Sequence, residues 1–472
     1  MAPGAPYPQK KQYPRWLGKE TGALCMIRKR EQILTLTIVL GIGLCARAEA
    51  AETSLSPEEA QIVAWIHGHE EAAIDHLEQL VNINSGTLNL AGVREVGENL
   101  GRDFAEIGFD VRWEDLPPEM NRAGHLHAER VGHQGRRVLM IGHLDTVFEP
   151  DHPFQRFTRE GDVARGPGVA DMKGGDIAIL YALKALDSVG ALDRTTIRVI
   201  VTGDEERPGV PHAVSRASLI EAARNSDVAL GFEGSSRDED RHYGVVARRS
   251  ASTWKLEVTG VQSHSSRIFS ETTGSGAIFE AARILNAFHE ELRGEPYLTF
   301  NAGLILGGTD VRLDEATSQG SAYGKDNVVP QSAVAAGGIR TLTVEQLESA
   351  RATMRAIVAR HHPRTDASLT FADGYPPMSP GEGNTALLGL MNEINRDLGA
   401  PHMEAFDPGR RGAADISFAA PHVESALAGL GAFGQGAHSP EETVDLDLLP
   451  LVIKRTALLV YRLTRPGNET SE

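Results

Sequence analysis

The stretch RVLMIGHLD at residues 137–145 points most directly to the architecture of the chain. The run 137–141 is short and mostly apolar, which predicts a buried strand that ends at Gly142. His143 and Asp145 come directly after it, so two polar side chains stand at the carboxyl end of that strand. Binding sites of open α/β sheets collect outside the carboxyl ends of the strands. The stretch therefore predicts an α/β fold with a functional site that starts at His143.

The sequence on both sides of this stretch alternates predicted helices with predicted strands. The helices fall within 56–82 and over 94–107, 176–188, 385–398 and 448–463, and the buried strands over 196–201 and 228–232. Alternation of this kind is typical of a mostly parallel sheet flanked by helices on both faces. We therefore expect an α/β fold class.

The pattern changes between residues 250 and 362. Predicted strands over 253–258, 298–306 and 334–339 and helices over 276–292 and 345–359 form a smaller α+β unit there. The α/β domain is expected to comprise residues 51–249 and 363–472, with the α+β unit inserted between its two parts. This is the predicted domain organisation.

The first 50 residues have the features of a secretory leader. A basic patch at 28–30 precedes an apolar run over 33–44, and Ala48-Glu49-Ala50 supplies a small-x-small cleavage site. The start could be Met26 instead of Met1. The apolar run is shorter than the ~20 residues that a spanning helix needs, so no stable membrane anchor is expected. A lipoprotein site at Cys45 is disfavoured by the bulky Leu44. We expect cleavage near Ala50 and a periplasmic or secreted protein.

Composition excludes some kinds of function and restricts the metal chemistry. The net charge is −17, aromatic residues make up 6%, and no basic stripe is present, so nucleic-acid binding is not expected. The two cysteines, Cys25 and Cys45, both fall in the leader. A metal site in the mature chain must then use His, Asp and Glu.

Polar residues of the metal-binding type are concentrated in short segments, mostly at predicted strand ends. The segments are 142–145 (GHLD), 166–175 (GPGVADMKGG), 203–206 (GDEE), 232–234 (FEG) and 436–442 (GAHSPEE). Each segment alone is more often a hydrogen-bonded loop or a solvated turn than a metal site. Adjacent carboxylates at a strand end repel each other unless a cation is present. In combination, the segments favour a metal centre.

In their order and composition, these segments resemble the M20 family of metallopeptidases, close to its glutamate carboxypeptidase and aminoacylase-like branch. The resemblance runs from about Ile74 to Arg465. It implies a catalytic domain formed by the two α/β parts and an inserted dimerisation or lid domain. It also implies five ligands for two Zn²⁺ ions, with Co²⁺ or Mn²⁺ as substitutes: His143, Asp171, Glu206, Glu233 and His438.

The resemblance gives each of these residues a role. Asp171 would bridge the two zinc ions, with His143 and Glu233 at one ion and Glu206 and His438 at the other. The resemblance also implies that two residues beside the ligands act in catalysis. Asp145 would orient the imidazole of His143, and Glu205 would be the general base.

The resemblance also implies residues that contact the substrate. His264 would donate to the oxyanion in the active site of a partner subunit, so a homodimer through the inserted domain is expected. Asn327 and Arg340 would bind the substrate, with the guanidinium of Arg340 on its carboxylate. Gly412 would line the pocket on the leaving side.

These features together predict zinc-dependent hydrolysis of an amide bond. The substrate would be a small molecule or short peptide with a free carboxylate, and the reaction would release a C-terminal amino acid such as glutamate. An N-acyl amino-acid deacylase is the alternative, because it uses the same zinc ions with a different pocket. A non-catalytic binding protein of this fold is disfavoured by the presence of Glu205 and all five ligands. An aminopeptidase is disfavoured by Arg340.

Overall fold

The structure, a computed structural model, describes residues 55–314 and 317–466. The predicted leader lies outside these ranges, as do the proposed start at Met26 and the cleavage site near Ala50. In the described ranges, no helix is both long enough and apolar enough to cross a membrane.

Eight of the described helices agree with the predicted ones to within a few residues at most ends, whereas the short helices His212–Ser215, Ala217–Arg224 and Ile416–Ala419 were not predicted. In chain order they are α1 Pro57–His67, α2 Glu70–Val81, α3 Leu90–Glu106, α4 Lys173–Asp187, α5 His212–Ser215, α6 Ala217–Arg224, α7 Ala277–Leu292, α8 Val344–Val358, α9 Glu382–Leu398, α10 Ile416–Ala419 and α11 Leu449–Leu463.

The described strands fall into six sheets. Those before residue 250 are β1 Asp110–Glu114, β2 His125–Arg130, β3 Gln134–His143, β4 Thr158–Glu160, β5 Val163–Arg165, β6 Thr195–Thr202, β7 Val228–Gly231, β8 Ser236–Asp238 and β9 Arg241–Gly244. The later ones are β10 Ala251–Gly260, β11 Ser263–His264, β12 Thr299–Gly308, β13 Asp310–Asp314, β14 Gln319–Tyr323, β15 Val328–Val329, β16 Ser332–Arg340, β17 Thr365–Tyr375, β18 Met403–Ala405, β19 Ser425–Leu427, β20 Gly434–Gln435 and β21 Thr443–Asp445.

The central sheet is mixed but mostly parallel, as predicted. Its order is β1-β2-β6-β3-β7-β19. Strands β6, β3, β7 and β19 pair in parallel, whereas β2 pairs antiparallel with both β6 and β1 at one edge. The parallel strands end at the same side of the sheet, which is where the ligand segments lie.

Helix α4 lies in the core behind this sheet. It packs against α1, α2, α11 and β3, and almost all of its side chains are buried. A helix that is buried on every face must be apolar all round, and the run IAILYALKAL meets that need. The fixed position of α4 in turn fixes the glycine-rich turn that leads into it.

The inserted unit has its own antiparallel sheet, in the order β12-β16-β10-β17. Burial alternates along β10, and its inward side chains Trp254, Leu256 and Val258 form a separate core with α7 and α8. The boundary expected at residue 362 leaves β17 in the catalytic part. In the structure β17 pairs with β10 over most of its length, so this sheet continues to Tyr375.

Candidate metal centre and active site

The predicted ligands lie around the carboxyl ends of adjacent parallel strands. His143 is the last residue of β3, Glu233 follows β7, and Glu206 follows β6. Asp171 lies in the turn that leads into α4. His438 lies between β20 and β21, and β21 pairs with β5, close in sequence to that turn. The sheet thus collects side chains that are far apart in the sequence.

The five side chains form two groups that share Asp171. In the first group, Nε2 of His143 lies 3.2 Å from Oδ1 of Asp171 and 3.7 Å from Oε1 of Glu233. In the second, Nε2 of His438 lies 3.1 Å from Oδ2 of Asp171 and 3.0 Å from Oε2 of Glu206. Ligand atoms within each group all lie within 4.8 Å of one another. Asp171 directs a different oxygen to each group, as a bridging ligand must.

The charges in these groups are strongly coupled. Burial opposes ionisation of Asp171, but hydrogen bonds with His143 and His438 hold its pKa well below the ordinary range. Hydrogen bonds with Asp171 and Glu206 raise the pKa of His438 to about 11. Burial raises the pKa of Glu206, and burial and the charge of Asp171 raise the pKa of Glu233. These acidic side chains repel one another, and cations would relieve that repulsion.

The donor set fits two divalent ions. Each group offers one imidazole nitrogen and two carboxylates, one of which is shared. These are ligand types that zinc accepts, and three protein ligands per ion leave a position open for water or substrate. The side chains therefore form a candidate dinuclear metal centre.

Asp145 holds the loop that carries the two glutamates. The backbone carbonyl of Asp145 is the nearer partner of Nδ1 of His143, at 3.0 Å, and its carboxylate lies at 3.5 Å. That carboxylate accepts from the backbone N–H groups of Glu205 and Glu206 at 2.9 and 3.1 Å and from the hydroxyl of Thr87 at 2.6 Å. Burial opposes its charge, but the bonds with His143 and Thr87 lower the pKa of Asp145. Asp145 therefore positions both the imidazole and the loop.

Glu205 belongs to neither ligand group. Burial and the charge of Glu233 raise the pKa of Glu205 well above its ordinary value. The backbone carbonyl of Glu205 accepts a hydrogen bond of 3.1 Å from the hydroxyl of Tyr375, at the end of β17. A carboxylate beside the metal ligands with a raised pKa is suited to accept a proton.

Glu442 also contributes to the site, although it is not among the site residues predicted from the sequence. Its buried carboxylate accepts from the backbone N–H groups of Gly168, Ala170 and Asp171 at 3.1, 2.9 and 3.0 Å. Burial raises the pKa of Glu442 to about 7, although these three bonds favour its ionised form. Glu442 therefore holds the turn that presents Asp171. Its place in the quoted segment 436–442 was the available signal.

The predicted substrate residues of the insertion lie at two different places. His264 and Asn327 are neighbours, since β11 pairs with β15 and the N–H of Ser265 donates to the carbonyl of Asn327 at 2.9 Å. Arg340 is the last residue of β16. All three predicted side chains are exposed. In the described ranges, no hydrogen bond or ion pair joins them to the metal ligands.

Gly412 lies in an exposed turn whose carbonyl accepts from Nη1 of Arg248 at 3.1 Å. A side chain at this position would meet no atom within 4 Å. Close packing therefore does not require glycine here.

The sequence and the fold match known proteins along most of the chain. Residues 139–462 match Peptidase family M20/M25/M40. Carboxypeptidase G2 of Pseudomonas sp. (strain RS-16) is 26% identical over 431 residues, which is 89% of this chain and 96% of that protein. Succinyl-diaminopimelate desuccinylase of Variovorax paradoxus (strain S110) is 26% identical over 322 residues, 65% of this chain and 78% of that protein.

A solved structure supports the fold. Bacillus subtilis YXEP protein, a dinuclear metal binding peptidase from the M20 family, superimposes with a TM-score of 0.59 at 16% identity. The superposition covers 84% of this chain and 99% of that one. Sequence match, fold and two ligand groups agree. The chain therefore belongs to Peptidase family M20/M25/M40 and is a metallo-hydrolase that acts on amide bonds.

Proposed function

We propose that this chain is a zinc-dependent amidohydrolase that releases the C-terminal amino acid, such as glutamate, from a small molecule or short peptide with a free carboxylate. The observation that carries this proposal is the sharing of Asp171 by two ligand groups beside Glu205. The similarity to carboxypeptidase G2 along 96% of that protein supports the carboxypeptidase reaction.

The residues of the chain divide the catalytic work. Zinc ions held by the two groups would polarise the scissile carbonyl and lower the pKa of a water. Glu205 accepts the proton of the attacking water and returns it to the leaving nitrogen. Asp145 and Tyr375 keep the backbone of Glu205 in place during both steps.

Recognition of the substrate is assigned to the exposed residues of the insertion. The guanidinium fork of Arg340 matches a carboxylate in shape and charge. Asn327 and His264 offer further donors from the other end of the insertion, at the pair β11-β15. We propose that His264 acts in the active site of a second copy of the chain, in a homodimer formed through the insertion.

Two further expectations from the sequence remain proposals. An N-acyl amino-acid deacylase is the second candidate function, which the similarity to a desuccinylase favours. Export to the periplasm or the medium is proposed from the leader sequence, whose residues lie outside the described ranges.

The test is a hydrolysis screen with zinc-loaded protein. Dipeptides and N-acyl amino acids with a free C-terminal carboxylate should be cleaved, and the same compounds with a C-terminal amide should not. Faster cleavage of dipeptides supports the carboxypeptidase, and faster cleavage of N-acyl compounds supports the deacylase. Elemental analysis should find about two zinc ions per chain. A chelator should abolish activity and added zinc should restore it, whereas full turnover by metal-free protein would contradict the proposal.

A further inference from the structure

Two guanidinium groups, those of Arg248 and Arg411, lie at the turn that contains Gly412, and one of them contacts the residue after Glu233. Arg248 is 2% exposed, and its Nη1 donates to the carbonyl oxygens of Gly412 and Ala413 at 3.1 and 3.4 Å. Its Nε and Nη2 are buried and have no hydrogen-bond partner in the described part of the chain. These two nitrogens form one edge of the guanidinium, the edge that can hold a carboxylate with two parallel hydrogen bonds.

Arg411 approaches the same place from the turn that precedes Gly412. Its Nη2 donates to the carbonyl of Gly234, the residue after Glu233, and its Nε is buried without a partner among the described residues. Burial lowers the pKa of Arg411 to about 10, and the charge of Arg248 adds to that effect. Nη1 of Arg248 binds the carbonyl of Gly412, which is the residue after Arg411, so the two cations lie at the same turn.

A comparison with Arg216 shows which contact this pair lacks. Arg216 is fully buried, and its guanidinium contacts Asp204 at 2.6 Å and Asp415 at 2.7 Å. In the described ranges, neither Arg248 nor Arg411 has a carboxylate oxygen within 4.0 Å. The carboxylate of Glu233 is farther away than 4.0 Å and belongs to a ligand group. Burial of cations without a close anion is unfavourable, so a ligand that supplies the anion would be bound strongly.

We propose that Arg248 and Arg411 form an anion subsite that binds a second carboxylate of the substrate, in addition to the one assigned to Arg340. The substrates would then be amides with two carboxylates. This inference rests on the proposed amidohydrolase function and narrows its substrate class. The free Nε–Nη2 edge of Arg248 and the Nε of Arg411 supply the donors.

The test compares substrates that differ only in the charge of one terminal group. One pair is N-acetyl-glutamate and N-acetyl-glutamine, and the other is N-succinyl-alanine and N-succinamoyl-alanine. In at least one pair, kcat/KM of the wild type should be ~10-fold or more higher for the charged member, the scale of a charged hydrogen bond. R411Q should reduce this ratio to about 2-fold or less.

The matched control is R410Q. Arg410 is the adjacent arginine, but it is exposed and pairs with Asp238 at 3.0 Å. R410Q should therefore keep the wild-type ratio, and zinc content should be unchanged in both variants. Equal ratios in wild type and R411Q, or no charge preference in either pair, would overturn the subsite.

Failure of the proposed function would look different. If no amide is hydrolysed by the zinc-loaded protein, the amidohydrolase proposal fails, and calorimetry with glutarate then decides on the subsite. Glutarate should bind ~10-fold more weakly to R411Q than to R410Q. Equal affinities would overturn the subsite in that case.

Discussion

Glu205 and Glu206 are adjacent in sequence but differ in environment. Glu206 lies 3.0 Å from His438 within a ligand group, whereas Glu205 lies outside both groups. Burial raises the pKa of each. Asp145 binds both backbone N–H groups, which fixes the direction in which each side chain leaves the loop. The roles proposed for these two glutamates, metal ligand and proton acceptor, are therefore compatible with adjacent positions in the chain.

This difference predicts different outcomes for two equivalent substitutions. Glu205→Gln should retain the metal and reduce kcat by ~100-fold or more, the scale of lost general base catalysis. Glu206→Gln should lose metal from the group that contains His438, because an amide is a weaker ligand than a carboxylate. The measurements are kcat with the best substrate of the screen and zinc per chain by elemental analysis. Two variants that both keep zinc and activity would show that these roles are wrongly assigned.

The residues of the site divide into those that the sequence could reveal and those that it could not. The ligands and Glu205 stand directly after apolar runs or in glycine-rich turns, so local pattern exposes them. Thr87 and Tyr375 reach the site from positions 58 and 170 residues away from their partners. Their local sequence contains no pattern that predicts those contacts. Whether the Nε–Nη2 edge of Arg248 has a partner likewise depends on which side chains the fold places around it.

The glycine-rich segment 166–175 forms a turn and also allows α4 to pack closely against the backbone after β7. Gly168 has a φ of 74°, in the left-handed region that favours glycine. A Cβ on Gly175 would come 2.1 Å from the carbonyl oxygen of Phe232. The sequence predicts a helix from residue 176, but α4 begins at Lys173. The glycines belong to the helix because its first turn passes directly against the backbone after β7.

Glu442 connects this turn to the hairpin that carries His438. Its substitution should therefore reduce both the stability of the protein and its affinity for zinc. In Glu442→Gln the amide nitrogen would face an N–H of the turn, so one buried donor loses its acceptor. The free energy of unfolding should fall by about 1–3 kcal/mol, and zinc affinity should fall because Asp171 is less firmly held. Urea denaturation and zinc titration measure the two effects.

Glu441→Gln is the control for this prediction. Its side chain is 83% exposed, and its nearest cation, Arg165, is 3.9 Å away. This variant should match the wild type in both measurements. An equal effect of the two substitutions would refute a specific role for Glu442 in the turn.

The two ends of the insertion lie in different surroundings. Arg340 and Tyr375 lie at the end that joins the catalytic part, where Ser250 bonds with Thr341. His264 lies at the other end, beside the start of β16. The strand from Ser332 to Arg340 spans about 26 Å at roughly 3.3 Å per residue. His264, in the separate pair β11-β15, is therefore far from the end of the four-stranded sheet that meets the catalytic part.

The change of periodicity near residue 250 indicates a second unit, and a separate sheet and core lie there in the structure. The sequence could not place the second boundary, because β17 is an alternating strand of ordinary composition. Only its pairing with β10 assigns it to the insertion. Pairing between strands more than a hundred residues apart is a property of the fold and leaves no local pattern.

The position of His264 predicts that this imidazole acts in the site of a second chain. His264→Ala should lower turnover and leave bound metal unchanged, because the imidazole would contact only the developing oxyanion. Co-expression of one chain with His264→Ala and another with Glu205→Ala should give mixed dimers with about half of the wild-type activity, since one of their two sites combines an intact Glu205 with an intact His264.

The reciprocal control joins a wild-type chain to a chain that carries both substitutions. That dimer should be nearly inactive, because the site that keeps Glu205 then receives no imidazole from its partner. If His264 acts within its own chain, the two results are exchanged: the control dimer is half active and the first dimer is not. Affinity tags on each chain isolate the mixed dimers, and kcat per dimer decides between the two arrangements.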